Sequence, residues 1–257
     1  MLTGGLGLAV LGLLGGVALW YFVFDTDAAA PVSLDDAIES DDAAGGSAAQ
    51  GGQDTLTDDW MLVGGGSSFA GYRVGQQVAG IGGETVVGRT DSVEGSLSFD
   101  GTAITSTEVT VDMAELNSGE SLRDNVLRSQ AIETGRFPTA SFVLTRPIPV
   151  NVPAEGEMVS QTVSGDLTLH GVTRPVEVDV QAVLRGGRLI IVGSSEVQFG
   201  DFNISPPRGP AQVLSVEDNG IMEVQLTFER GDSSPDSDSG DRSTPSNSSP
   251  GGFDDGY

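Results

Sequence analysis

Cysteine and lysine are absent from this sequence, and histidine occurs once, as His170. Without cysteine there is no disulfide, thiolate nucleophile, iron–sulfur cluster or Cys-bound zinc. Without lysine there is no Walker A phosphate clamp, no Schiff-base amine and no kinase-type lysine. One histidine excludes poly-His metal sites. Basic residues are scarce: 12 arginines face 37 acids, for a net charge of −25. A nucleic-acid backbone is therefore not an expected partner, because neutralising phosphates takes basic patches. The 257 residues suffice for one large or two small domains.

The charge is unevenly spread. Residues 25–59 carry ten acids and no arginine, residues 60–231 carry 21 acids and 11 arginines, and residues 232–257 carry six acids and Arg242. Both flanks are rich in Gly, Ala, Ser, Pro and Asp and poor in large apolar side chains. Such segments bury too little apolar surface to offset chain entropy. Residues 25–56 are thus expected to be a disordered acidic linker, and 232–257 a disordered acidic tail. The acids read as a solvated spacer, and no EF-hand spacing supports calcium binding.

The first 24 residues have no charged side chain, and Leu6 to Phe24 is continuously apolar apart from glycines. Roughly 20 such residues let a helix cross ~30 Å of hydrocarbon. Trp20 and Tyr21 lie near one end, where amphipathic aromatics favour the headgroup level, and Asp25 and Asp27 stop the run. Residues 1–24 are expected to be a transmembrane helix and membrane anchor, or an uncleaved signal. The competing reading is a secretory signal cleaved after Ala30, at the A-x-A site Ala28–Ala29–Ala30. The run is long for a signal core and lacks a basic n-region. The anchor reading gives a single-pass protein of the cell membrane with its folded domain outside the cytoplasm; cleavage gives a secreted one. The positive-inside rule has no Lys or Arg here with which to set orientation.

Residues 57–231 alternate apolar and polar side chains with period two. Met222, Val224, Leu226 and Phe228 share one face. Val176, Val178, Val180, Ala182 and Leu184 repeat the pattern, as do Val163, Leu167 and Leu169. Leu97 with Phe99, Val109 with Val111, and Phe142 with Leu144 extend it. Gly or Pro separates the runs at Gly95, Gly101, Pro138, Gly171, Gly186–Gly187 and Gly220. Strands at this spacing predict an all-β antiparallel sandwich or barrel. Only one helix is predicted, of two to three turns before Gly135. It opens on Ser121-Leu-Arg-Asp124, which has the form of a capping box, and carries Leu122, Val126 and Leu127 on one face.

Four segments in order resemble one family. Gly165-Asp-Leu-Thr-Leu-His-Gly-Val-Thr-Arg-Pro-Val176 resembles the signature of the YceI-like lipid/polyisoprenoid-binding domain. Val93-Glu-Gly-Ser-Leu-Ser-Phe-Asp-Gly101 resembles its G-x-hydrophobic-x-F-x-G strand. Arg123-Asp-Asn-Val-Leu127 resembles its R-D-x-x-L helix. Phe137-Pro138 followed by Phe142 resembles its aromatic-Pro-x-x-x-Phe strand entry. The resemblance covers about residues 58–230. It implies an extended, lipocalin-like antiparallel β-barrel in an exported protein, with an apolar lumen for an isoprenoid-type lipid. The chain departs from the family pattern at Gln76 and Val126, where the family often has His, and at Ala131-Ile132-Glu133, where Phe-Phe-Asp is usual. Headgroup or metal contacts are not carried over to those positions.

The expected lumen residues are Phe99, Val109, Val111, Phe142, Leu144, Leu167, Leu169, Val178, Val180, Phe199, Met222, Val224, Leu226 and Phe228. A small barrel either fills with such side chains or leaves room for a ligand. An aromatic content of 6% favours room. No catalytic residue, metal ligand or cofactor is assigned. His170 falls on the polar phase beside a turn and reads as a structural hydrogen-bonding residue within its hairpin. No Gly-x-Ser-x-Gly elbow accompanies it to make a hydrolase, and no spacing singles out two of the acids for glycoside chemistry. Gly64–Gly66 and Gly80-Ile-Gly82-Gly83 have strand-like neighbours on both sides and read as turns, not phosphate loops. Arg123 and Asp124 read as a helix-start ion pair or cap, with headgroup binding as the alternative. The expected function is non-catalytic binding or transport of a polyisoprenoid or similar lipid outside the cytoplasm. The rival is a structural or adhesive envelope module with a filled barrel. Homo-oligomerisation is left open.

Overall fold

The alternating runs become antiparallel strands in the computed structural model, which describes residues 28–45, 58–150, 155–207 and 213–231. In chain order these are β1 (Asp58–Leu62), β2 (Phe69–Val78), β3 (Gly82–Thr90), β4 (Val93–Phe99), β5 (Ala103–Asp112) and β6 (Thr139–Leu144). They continue with β7 (Ile148–Pro149), β8 (Met158–Leu169), β9 (Val172–Arg185), β10 (Arg188–Gln198), β11 (Val213–Val216) and β12 (Asn219–Arg230). β1 hydrogen-bonds to both β4 and β12, which closes the ring β1-β4-β5-β6-β8-β9-β10-β12 into an eight-stranded barrel. β12 is long enough to serve two partners. Its C-terminal half pairs β1, and its N-terminal half pairs β2 from Ile221 to Gln225. The β2–β3 hairpin therefore flares from one end of the barrel, with β11 on its edge.

That same end carries the expected helix, α2 (Ser121–Val126), which runs on into a π-helical turn at Leu127–Ala131. The capping box is not formed. Ser121 lies inside the helix, Glu120 occupies the N-cap without a side-chain bond, and Asp124 accepts instead from the Ser118 amide (3.1 Å) and hydroxyl (2.6 Å). Asp124 thus ties down the turn before the helix rather than pairing with Arg123. Two apolar clusters pack the wall. One, at the α2 end, joins Ala131, Ile132, Leu167, Leu169, Phe202 and Ile204. The other joins Trp60, Ala70, Val93, Leu97, Val109, Leu226 and Phe228.

The expectation of a disordered linker over 25–56 is corrected by a second helix, α1 (Leu34–Ala43), in residues 28–45. Composition hid it, because five acids surround only a few apolar residues. Leu34, Ala37 and Ile38 nevertheless recur at helical spacing, and Ser33 caps the helix by accepting from the Asp36 amide at 3.2 Å. The apolar stripe packs on the outer side of β9 and β10 against Val183, Ile190 and Val192. Its acids meet the barrel's arginines: Asp41 with Arg188 at 2.8 Å and Asp42 with Arg185 at 3.1 Å. Upstream, the carbonyls of Ala29 and Ala30 accept from Arg73 and Arg89. Residues 28–45 are therefore an external strap. Residues 1–27, 46–57 and 232–257, with the expected anchor, the rest of the linker and the tail, lie outside the described residues. Among the described residues no helix is long and apolar enough to cross a membrane.

Candidate functional site

Period-two alternation sends one face of every ring strand inward, and the inward faces enclose a cavity of about 940 Å³. Phe99, Val109, Val111, Phe142, Leu144, Leu167, Leu169, Val178, Val180, Met222, Val224, Leu226 and Phe228 all line it from strands. Phe199 lines it too, from a 3₁₀ turn (Phe199–Phe202) rather than a strand. Midway along the wall, Val178, Val180 and Val224 close over Gly193 and stand 3.2 Å from where its Cβ would be, so they occupy the space a side chain there would take. At a strand rise of about 3.3 Å per residue, the 11 residues of β10 measure about 36 Å along the strand, or about 28 Å along the axis of a barrel whose strands tilt by about 40°. The mean cross-section is then about 34 Å². Hydrocarbon chains in contact stand about 4–4.5 Å apart, a section of about 16–20 Å² each, so one extended chain fits this bore and two side by side would fill it completely. At about 30 Å³ per heavy atom, a water's share of liquid volume, it holds on the order of 30 atoms.

Several lining residues were not legible from alternation. β2 contributes Ala70, Tyr72, Val74 and Gln76, but Gly71, Arg73, Gly75 and Gln77 between them disguise the strand. Burial pushes the Tyr72 hydroxyl up to about 12; the Asp124 carboxylate adds to this, while Arg123 and a hydrogen bond with Ser118 oppose it. Arg123 lines the cavity, and no described carboxylate pairs with it. The polar groups of the α2 end are thus Tyr72, Gln76, Glu120 and Arg123, while the rest of the lining is almost wholly apolar. The wall reaches solvent beside them: Leu122 lines the cavity and is 75% exposed, and Ile221 is also exposed. This is the mouth.

His170 stands outside the lumen. His170 and Gly171 form the two-residue turn of the β8–β9 hairpin, with φ of 51° and 72°, the left-handed pair that a type I′ turn demands. A Cβ on Gly171 would lie 2.5 Å from the Phe137 ring, so only glycine fits. The hydrogen bonds expected within the hairpin instead reach other elements. Nδ1 faces the Phe202 carbonyl at 3.1 Å, Nε2 faces the Glu133 carboxylate at 3.0 Å, and the ring meets Phe137 edge-on at 4.5 Å. Both partners are acceptors, so holding both bonds takes a proton on each nitrogen. No described nucleophile adjoins the ring. Among the described residues, no group of three or more His, Cys, Asp or Glu could hold a metal ion. Gly64–Gly66 lie between β1 and β2 and Gly80 lies in the β2–β3 turn, as expected, whereas Gly82 and Gly83 open β3 and pair with β2.

The fold is shared with solved structures. A polyisoprenoid binding domain from Saccharophagus degradans superposes with a TM-score of 0.56 at 19% identity, over 67% of this chain and 98% of that one. Among sequences, a UPF0312 protein of Vibrio vulnificus is 32% identical over 150 residues, 55% of this chain and 76% of the relative. One of Shewanella denitrificans is 34% identical over 143 residues, 52% and 72% of the two chains. The sequence model of the YceI-like domain matches residues 65–228, from the turn before β2 almost to the end of β12, and the chain belongs to the YceI-like family.

Proposed function

We propose that the barrel binds one long-chain, isoprenoid-type lipid in its lumen and sequesters or carries it, without catalysis, on the extracytoplasmic side of a membrane to which Leu6–Phe24 tethers it. The observation that carries this reading is the long, narrow apolar bore. Its volume lies at the upper end of ordinary ligand pockets, about 300–1,000 Å³, and it is long rather than round. The polyisoprenoid-binding name of the Saccharophagus neighbour points the same way. The chain's polar end would sit at the mouth, where Tyr72, Gln76 and Arg123 are the groups able to hydrogen-bond it. The fourteen expected lumen residues would contact the tail. A filled envelope module, the rival reading, requires a lumen without this space.

Retention of the N-terminal segment is supported by the strap. Cleavage after Ala30 would remove both carbonyls that accept from Arg73 and Arg89. The test is native mass spectrometry of full-length protein purified from its own host, followed by lipid extraction. One isoprenoid-type lipid per chain is expected. Protein that is ligand-free, and that fails to take up geranylgeraniol from detergent micelles, would refute the reading.

A further inference from the structure

The strap places the point where the chain would leave the membrane close to the mouth of the cavity. Arg73, which donates to the Ala29 carbonyl, pairs in register with Ile221, a mouth residue. Arg89, which donates to Ala30 at 2.8 Å, lies next to it across the hairpin. Both guanidiniums are fixed by Glu223, 1% exposed, at 2.7 Å each. The strap's N-terminal end is therefore held by a buried ion triad and cannot slide along the barrel.

Only four residues separate Phe24, the last apolar residue of the run, from Ala29. Fully extended, the five steps between them span at most about 17 Å. Along β12, Glu223 is four residues from the mouth end and seven from the other. At about 3.4 Å per residue those are ~14 Å and ~24 Å. The mouth end is the nearer of the two, and its rim is apolar. Ile81 in the β2–β3 turn and Leu214 on β11, 44% and 69% exposed, flank the tip of the flared hairpin, and Leu122 is exposed on helix α2 at the same end. Of the seven large apolar side chains exposed among the described residues, Ile81, Leu122, Leu214 and Ile221 belong to this end and Met61, Val143 and Met158 do not; such a concentration on a protein with a net charge of −25 marks an interaction surface. We infer that the α2 end of the barrel rests on the bilayer, with Ile81, Leu122 and Leu214 in the interfacial layer, and that the strap enforces this orientation. The inference rests on the anchor reading of Leu6–Phe24.

The absence of cysteine makes the test clean. Single variants Leu214→Cys and Ile81→Cys at the rim, and Met158→Cys at the opposite end (62% exposed), are made in the full chain. Each is labelled with an environment-sensitive fluorophore and reconstituted into phosphatidylcholine vesicles containing doxyl-labelled phosphatidylcholine. The expected result is flotation with the vesicles, loss of most fluorescence at 81 and 214, and none at 158. Flotation with quenching at 158, or at none of the three, overturns the orientation and leaves the anchor standing. Failure to float overturns both. A further full-length variant carries 20 Gly/Ser residues inserted between Asp27 and Ala28, adding a tether of about 25 Å outside the fold. It should still float but lose rim quenching; if rim quenching persists, the strap is not what holds the mouth down.

Discussion

A bulky side chain in the middle of the bore separates a ligand-filled lumen from a side-chain-filled one. Val180 points inward from β9 and faces Gln161 and Gly193 across its two ladders, at the narrow-walled middle of the barrel. Val180→Trp adds seven heavy atoms, about 150–200 Å³ at the 20–30 Å³ each occupies. That is a fifth or less of the 940 Å³ cavity, so the ring fits. The indole also takes up most of the mean section of about 34 Å² at that level, so a continuous chain can no longer pass. The variant should lose lipid co-purification while its stability falls by less than about 1 kcal/mol. In a lumen packed with side chains the same ring would overfill the interior and cost typically 1–3 kcal/mol. Bound lipid by mass spectrometry and unfolding midpoint by denaturant are read on the same sample. A strongly destabilised variant, together with a wild type that carries no lipid, refutes the reasoning.

Four further outcomes follow from named contacts. Glu223→Gln should cost about 3 kcal/mol in denaturant unfolding, because Arg73 and Arg89 are left facing a neutral amide in a largely buried site; an unchanged midpoint would mean the triad is not holding the strap. Ala37→Asp, at a fully buried position of α1, should release the strap, seen as rapid proteolysis between residues 28 and 45 with the barrel intact. Tyr72, with its hydroxyl raised to about 12, titrates near 10 when unfolded, so the folded state binds more protons between those values and stability should fall as pH rises from about 10 to 12. The loss is of order 2–3 kcal/mol and should be absent in Tyr72→Phe. His170→Ala should lose about 1–3 kcal/mol through two broken hydrogen bonds and an alanine at positive φ, with lipid binding retained; lost binding at unchanged stability would give His170 a role in the site.

Legibility in the sequence followed the physics that each segment obeys. Where a strand has one apolar and one polar face, as in β9 and β12, the inward residues were readable from alternation alone. β2 was not, because it is both flared and glycine-broken: the residues between its inward Ala70, Tyr72, Val74 and Gln76 include Gly71 and Gly75, and its outward Arg73 serves an ion triad. Helix α1 failed for another reason. A ten-residue segment with five acids has the composition of a spacer, and its order comes from Arg185 and Arg188, some 140 residues away. Such a helix becomes visible only when the barrel supplies its counter-charges. His170 was assigned a face by counting along β8, but the count ends at Leu169. A left-handed turn residue belongs to neither face, and its ring reached elements that no local pattern connects to it.

Lipid exchange sets a condition that the strap meets. Moving a hydrocarbon chain from a bilayer into this lumen swaps one apolar surrounding for another, so the ~0.8 kcal/mol per CH₂ gained relative to water is present on both sides and cancels. Net preference must then come from the fit of a single chain and from the polar groups at the mouth. The path is different. A tail of about 30 carbons exposed to water midway would stand about 24 kcal/mol above either end state by the same coefficient, a barrier that slows exchange to the order of hours. Contact between mouth and bilayer, as we propose, would remove that barrier by letting the chain pass without meeting water. A long free tether would raise only the encounter frequency, whereas the proposed anchor, five residues from the strap, would also fix which end the bilayer meets.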